Sequence, residues 1–204
     1  DLVINLSNKE LDKIDLVQYD KYLSWKQRAV DHYDFYGKSG KEHYHMLAYF
    51  STLFNDEVLL DVGTFLGGSA LALGFNKSNS VVSIDVKYQV EIEVTEPNIE
   101  FLEGDIMNSE DGKKLIDSAS FILYDTVHTG ELEIEFHKYL ESSNWVGICV
   151  WDDIKYRHTG AVRQGMQNFW NTIPDDRKYD ISKYAHFTGT GLVWYGDKPE
   201  INLL

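Results

Sequence analysis

The stretch Val58-Leu59-Leu60-Asp61-Val62-Gly63-Thr64-Phe65-Leu66-Gly67-Gly68-Ser69-Ala70 constrains the rest of the chain more than any other. An apolar run ends in an acid, three glycines come next, and Ala70-Leu71-Ala72-Leu73 begins a helical pattern. This reads as a buried parallel strand, a tight turn and the start of a helix. Glycine reaches positive φ and lets a ligand lie against bare backbone. The N–H groups that open the helix favour a negatively charged ligand group. Asp61, read at the strand's carboxyl end, is placed to accept hydrogen bonds from a ligand. A glycine turn alone requires no ligand, but the acids that close the downstream strands argue for one.

Beyond the turn the pattern alternates strand and helix, the signature of an α/β sheet. Val81-Val82-Ser83-Ile84-Asp85 is a second buried strand ending in an acid. It lies about 20 residues past the glycine turn, the spacing at which a carboxylate reaches ribose hydroxyls. Residues 98–102 give a short third strand, closed by Glu103-Gly104-Asp105, and Ser120 to Asp125 a fourth. Trp145 to Trp151 is a fifth, ending at Asp152-Asp153. Helices are expected over 130–142 and 160–173, and two closing strands near 179–185 and 191–196. The expected fold is a doubly wound, Rossmann-like α/β sandwich. Its seven-stranded, mostly parallel sheet carries helices on both faces and one antiparallel strand near its end.

Ahead of the central strand, residues 9–36 read as helical and aromatic, with Trp25, Tyr33, Phe35 and Tyr36 packing or forming a lid. A second helix opens at Ser39 or Lys41 and runs through Met46, Leu47, Phe50 and Phe54. At 204 residues the chain is expected to form one domain, with 1–56 as a helical lid or substrate region and 57–204 as the ligand-binding core.

A formal charge of −14 without clustered Lys and Arg argues against nucleic acid and anionic membranes as partners. No apolar run approaches the roughly 20 residues of a bilayer span, and no signal peptide is read, although the chain begins at Asp1. Cys149 is the single cysteine, which excludes an intrachain disulfide and a thiolate zinc cluster. It reads as an inert buried thiol, and a cytoplasmic or otherwise reducing location is the default. A homo-oligomer is left open.

Five successive strands finish in or beside acids: Asp61, Asp85, Asp105, Asp125 and Asp152-Asp153. In an open parallel sheet these ends share one edge, where ligands bind at the switch of strand order. Carboxylates crowded there repel one another unless cations or donors sit between them. The glycine spacing then separates ligands. No Gly-Lys-Ser/Thr is present for a P-loop, and G-x-x-x-G-G is not the G-x-G-x-x-G of dinucleotide binders.

Residues 61–67 instead resemble the E/D-x-G-x-x-x-G motif of class I S-adenosylmethionine-dependent methyltransferases, a likeness covering roughly 38–196. The resemblance implies contacts from Asp61, Gly63, Gly67 and Ser69 to the methionine end of the cofactor. It implies Asp85 on the ribose and Asp105 with Ile106 beside the adenine, while Ser39 and Glu42 are weaker candidates for the amino-acid end. Tyr124-Asp125-Thr126-Val127-His128 and Val150-Trp151-Asp152-Asp153 are similar to the metal site of catechol and caffeoyl-CoA O-methyltransferases. Macrolide-sugar O-methyltransferases add a nearby His, which His128 could supply. The implied ligands of Mg²⁺ or another divalent cation are Asp125, Asp152 and Asp153, oxygen donors suited to a hard ion.

The expected reaction is methyl transfer to a small hydroxylated acceptor, catechol-like or sugar. Its catalytic residues are His128 and Asp125, with His128 or a metal-bound water as base. The catechol enzymes' lysine has no counterpart after strand four. Tyr156, Arg157 and His158 come just after the acid pair and are expected near substrate, whereas His32, His43 and His45 lack matching acids and read as packing or capping residues. Two alternatives stand beside this reading: a non-catalytic S-adenosylmethionine-binding protein and a nicotinamide-binding oxidoreductase.

Overall fold

A computed structural model describes residues 2–155, 161–185 and 187–204, with 161–163 described by their backbone alone. Tyr156, Arg157 and His158 therefore lie outside the described residues. The central sheet is built from β2 (Val58–Val62), β3 (Ser80–Asp85), β4 (Ile99–Glu103), β5 (Ala119–Tyr124), β6 (Gly147–Asp152), β7 (Lys178–Asp180) and β8 (Thr190–Tyr195). Their order is β4-β3-β2-β5-β6-β8-β7. Pairing is parallel from β4 through β6, and β8 runs antiparallel to both of its neighbours. The chain leaves β2 toward β3 on one side and returns to β5 on the other. The carboxyl end of β2 is thus the point where strand order reverses.

Alternation along the strands divides the core into two layers. Leu59, Val81, Phe121, Leu123, Ile148 and Val150 face α3 (Lys38–Ser51) and α4 (Gly68–Leu73). Leu60, Ile84, Ile122, Tyr124, Cys149 and Trp151 belong to the opposite layer, with Ile116 of α5 (Glu110–Ser118), Phe136 and Leu140 of α6 (Glu131–Ser142) and Met166 and Phe169 of α7 (Ala161–Thr172). Trp151 anchors that second layer, with ring centroids 4.6 Å from Phe169 and 5.1 Å from Tyr124. No helix among the described residues is long and apolar enough to cross a membrane.

The N-terminal region departs from the expected helix. Residues 9–36 form α1 (Asn8–Leu11), a 3₁₀ segment at Val17–Tyr22, α2 (Trp25–Arg28) and turns. Short polar side chains capture the backbone and stop a continuous helix. Ser7 Oγ accepts from the Glu10 N–H at 3.2 Å and Asp15 Oδ1 from the Val17 N–H at 2.9 Å. Ser24 and Gln27 form a capping box, and Asp31 accepts from the N–H groups of Lys38 and Ser39 at 2.8 and 3.0 Å. The segment nonetheless packs into the first core layer through Leu11, Leu16, Tyr19 and Leu23. The Tyr19 hydroxyl donates to the Gly74 carbonyl at 2.7 Å, which ties it to the end of α4. A further pairing unread in the sequence joins the two ends of the chain. β1 (Val3–Leu6) and β9 (Glu200–Leu203) form a separate two-stranded parallel sheet.

Candidate active site

The turn after β2 is shaped by close approach. Gly63 has φ +94°, and a Cβ there would lie 1.7 Å from the Asp125 carbonyl oxygen. Its N–H donates to the Ile84 carbonyl at 2.9 Å. Only glycine fits between two neighbouring strand ends at this point. Gly67, with φ +88°, caps α4, a helix of six residues.

Asp61 lies one residue before the end of β2 with its side chain fully buried, and its Oδ1 has no hydrogen-bond partner among the described residues. Its Oδ2 accepts from the hydroxyls of Ser83 at 2.8 Å and Ser69 at 3.0 Å, linking β3 and α4 to the central strand. Burial pushes its carboxyl up to about 6, against the hydroxyls that favour the charged form. The folded state therefore holds this proton more tightly than the unfolded chain. The stabilisation is full below the ordinary value of 3.8 and is lost as the pH rises through about 6. Asp61→Asn is expected to flatten the fall in melting temperature between about pH 4 and 7, and a profile parallel to the wild type would refute that assignment.

In front of the turn lies a cleft of ≈ 710 Å³. Of the residues singled out in the sequence, it brings together Gly63, Asp85, Asp105, Ile106, Asp125 and His128. Asp85 Oδ2 accepts from the Phe65 N–H at 2.9 Å, which fixes its carboxylate beside the turn. Asp105 accepts from the Met107 N–H at 2.9 Å and the Asn108 side chain at 2.6 Å. Gly104 also lines the cleft, and a Cβ there would meet only Ile84 Cδ1, at 3.8 Å, so bare backbone faces the space. Ser69 lines a smaller adjoining cavity, while Asp61 and Gly67 line neither. Ser39 and Glu42 also stand outside both.

Two residues of the cleft, Asp125 and His128, adjoin further acids and a second histidine that do not themselves line it. His128 Nε2 lies 3.3 Å from Asp125 Oδ1 and 3.2 Å from Asp153 Oδ2. Both His128 (φ +53°) and Asp153 (φ +56°) occupy the left-handed region, which costs about 1–3 kcal/mol for a non-glycine residue and marks sites held in place by their surroundings. Burial disfavours a charged His128, but Asp125, followed by Asp153 and Asp152, outweighs it and pushes the imidazole up to about 9. Burial and the neighbouring Asp152 push Asp125 up to about 7, against the pull of His128.

Ligand atoms of His43, Asp125 and Asp152 lie within 4.8 Å of one another. The donor atoms of an octahedral ion with bonds near 2.1 Å stand about 3 Å apart in cis and about 4 Å in trans, so this group is close to the size required. Asp152 also accepts from the Thr190 hydroxyl at 3.3 Å. Asp153, expected beside the other two acids, is instead directed to His128, and His43 completes the compact triad. The sequence pattern reads His43 as a packing residue. The available signal is its position four residues before Leu47 and seven before Phe50, a polar side chain on the apolar stripe of α3.

This chain has the fold of the class I S-adenosylmethionine-dependent methyltransferases. No protein-family model matches it, and no curated protein matches its sequence. Solved structures do. The SAH-bound methyltransferase PaMTH1 from Podospora anserina superposes with a TM-score of 0.61 at 15% identity, over 96% of this chain and 99% of that one. The SAM-bound O-methyltransferase TomG from Streptomyces achromogenes, involved in tomaymycin synthesis, gives 0.54 at 14% identity over 95% and 92%. A putative caffeoyl-CoA O-methyltransferase from Staphylococcus aureus gives 0.52 at 14% identity over 94% and 93%.

Proposed function

We propose that the protein is an S-adenosylmethionine-dependent O-methyltransferase, assisted by a divalent cation and acting on a small hydroxylated acceptor of catechol or sugar type. The observation that carries this reading is the continuity of one cleft, which runs from Asp85 and Asp105 past Gly63 to Asp125 and His128. One end suits a nucleoside and the other an acidic, imidazole-bearing cluster. The bare backbone of Gly104 and the fixed carboxylate of Asp85 fit a ribose and base lying against them. Asp105 and Ile106 would flank the adenine. Asp125, Asp152 and His43 would hold the cation, and an imidazole in that set extends the suitable ions from Mg²⁺ to Mn²⁺ and Fe²⁺.

When bound, the cofactor supplies an electrophilic sulfonium methyl, and the cation supplies a Lewis acid that acidifies a hydroxyl. The work of the chain is to position and to move a proton. His128 would take the acceptor's proton in its neutral form, a small fraction at neutral pH given a value of about 9, so turnover is expected to rise with pH toward 9; the carboxylates of Asp125 and Asp153 would stabilise the imidazolium that results. Phe65, Val127 and Leu132 are exposed along the cleft and offer apolar surface to the acceptor's carbon skeleton.

Calorimetry with S-adenosylhomocysteine tests the cofactor. Asp85→Asn should weaken binding by about tenfold or more, the scale of charge-assisted hydrogen bonds lost to a neutral amide. NADH should not bind. Unchanged affinity in the variant would remove Asp85 from the site. Methyl transfer to a panel of catechols and sugars tests the reaction itself.

A further inference from the structure

On the face of the sheet toward α3, β6 and β8 set their residues in opposed pairs: Ile148 with Trp194, Val150 with Leu192 and Asp152 with Thr190. The first two pairs belong to the first core layer. The third continues the same alternation, so both of its side chains stand on the α3 face, where His43 approaches Asp152. An apolar ladder thus ends in one polar pair. That pair is buried, with Asp152 at 6% exposure and Thr190 at 0%.

Thr190 is itself held in place. Its N–H donates to Ser182 Oγ at 3.0 Å, and its carbonyl accepts from the Ile181 N–H at 2.9 Å. A β-branched side chain on a fixed strand has little rotamer freedom. The Thr190 hydroxyl donates to Asp152 Oδ1 at 3.3 Å. The turn before Thr190 extends the pairing past the acids. The Ile154 N–H donates to the Gly189 carbonyl at 3.3 Å, and the Lys155 N–H to the Thr188 carbonyl at 2.8 Å. Gly189 has φ +93°, and a Cβ there would stand 2.8 Å from Lys155 Cβ, so the two segments lie in direct contact. An ion pair between Lys155 and Asp180 closes the arrangement on the β7 side. The acid pair at the end of β6 is braced by β8 and the turn that leads into it.

We propose that Thr190 is a positioning residue of the candidate cation site, its hydroxyl fixing the angle at which Asp152 presents its carboxylate to the ion. This rests on the cation reading above and adds a residue that acts through Asp152. The terminal torsion of an aspartate is broad, so a carboxylate that serves as a ligand needs a second partner to hold its plane. A donor on Oδ1 also decides which lone pairs remain for a metal. The rigid backbone of Thr190 transmits that constraint from β8, the antiparallel strand, to the end of a parallel one. A hydroxyl in place of a third apolar pair is what this role requires.

Calorimetry with Mn²⁺ on the full chain tests it. Thr190→Val keeps the shape and β-branching and removes the donor, whereas Thr190→Ser keeps the donor and removes the methyl group. Thr190→Val should bind Mn²⁺ about tenfold or more weakly, the scale of losing a metal ligand's outer partner, while Thr190→Ser stays within about threefold of wild type. S-adenosylhomocysteine affinity should stay within about twofold in both, because Thr190 lines neither the cleft nor the cavity beside it. Wild-type Mn²⁺ affinity in Thr190→Val would overturn this proposal and leave the cation reading standing. Equal losses in the valine and serine variants, or a matching loss of S-adenosylhomocysteine binding, would give Thr190 a packing role only and overturn it as well. If Thr190→Val fails to fold, as melting curves would show, Thr190→Ala is judged by the same criteria. Wild-type protein that binds S-adenosylhomocysteine but not Mn²⁺ would overturn the cation reading, and this proposal with it.

Discussion

Gly63→Val is expected to destabilise the protein by about 4 kcal/mol or more and to abolish binding of S-adenosylhomocysteine. The motif alone locates the effect at the ligand. The packing adds a larger one, because a Cβ at residue 63 would stand 1.7 Å from the Asp125 carbonyl oxygen. A β-branched side chain is also strained at φ +94°. Relief requires β2 and β5 to separate at their carboxyl ends, where the Asp125 N–H donates to the Val62 carbonyl at 2.9 Å. Chemical denaturation reads the stability and calorimetry reads the binding. A variant with wild-type stability would show that the turn tolerates a side chain and that the close approach is misplaced.

Removal of the cation should have a comparably large effect on activity and little on the cofactor. Chelation is expected to reduce methyl transfer by about 10²-fold or more, since the proposed ion would acidify and orient the acceptor hydroxyl. S-adenosylhomocysteine affinity should barely change, because in the proposed arrangement Asp85 and the turn hold the cofactor. Asp152→Asn should reproduce chelation. In the wild type, added Mn²⁺ should raise the melting temperature more than Mg²⁺ does, as a set with one imidazole and two carboxylates prefers the softer ion. The closeness of Asp125 to the buried Asp152 adds to the stabilisation that any divalent ion would bring. Full activity in the presence of chelator and in Asp152→Asn would leave a metal-free transferase that relies on His128.

The legible part of the molecule is the part written in local pattern. Apolar runs ending in acids locate β2 through β6, and their order along the chain places Asp85, Asp105, Asp125 and Asp152 on one edge of the sheet. The same patterns mislead where two physical signals coincide. The aromatics of residues 9–36 fall at spacings that mimic one helix, yet Ser7 and Ser24 start only short helices and Asp15 and Asp31 hold the backbone in turns between them. Asp61 closes an apolar run and reads as a strand-end acid; the packing adds that its Oδ2 is already held by Ser69 and Ser83, which no spacing along the chain gives.

By itself, the sequence determined the fold class, the switch point after β2 and the residue types at the strand ends, because side-chain periodicity and glycine placement depend on near neighbours in the chain. The tertiary structure alone decided which of those groups meet. His43 reaches Asp125 and Asp152 from α3, Asp153 turns to His128, and Gln27 reaches the edge of the glycine turn from α2. Such contacts are set by how helices pack across the sheet edge, where the rotation and crossing angle of each helix choose which side chain faces the site. No spacing along the chain encodes that choice.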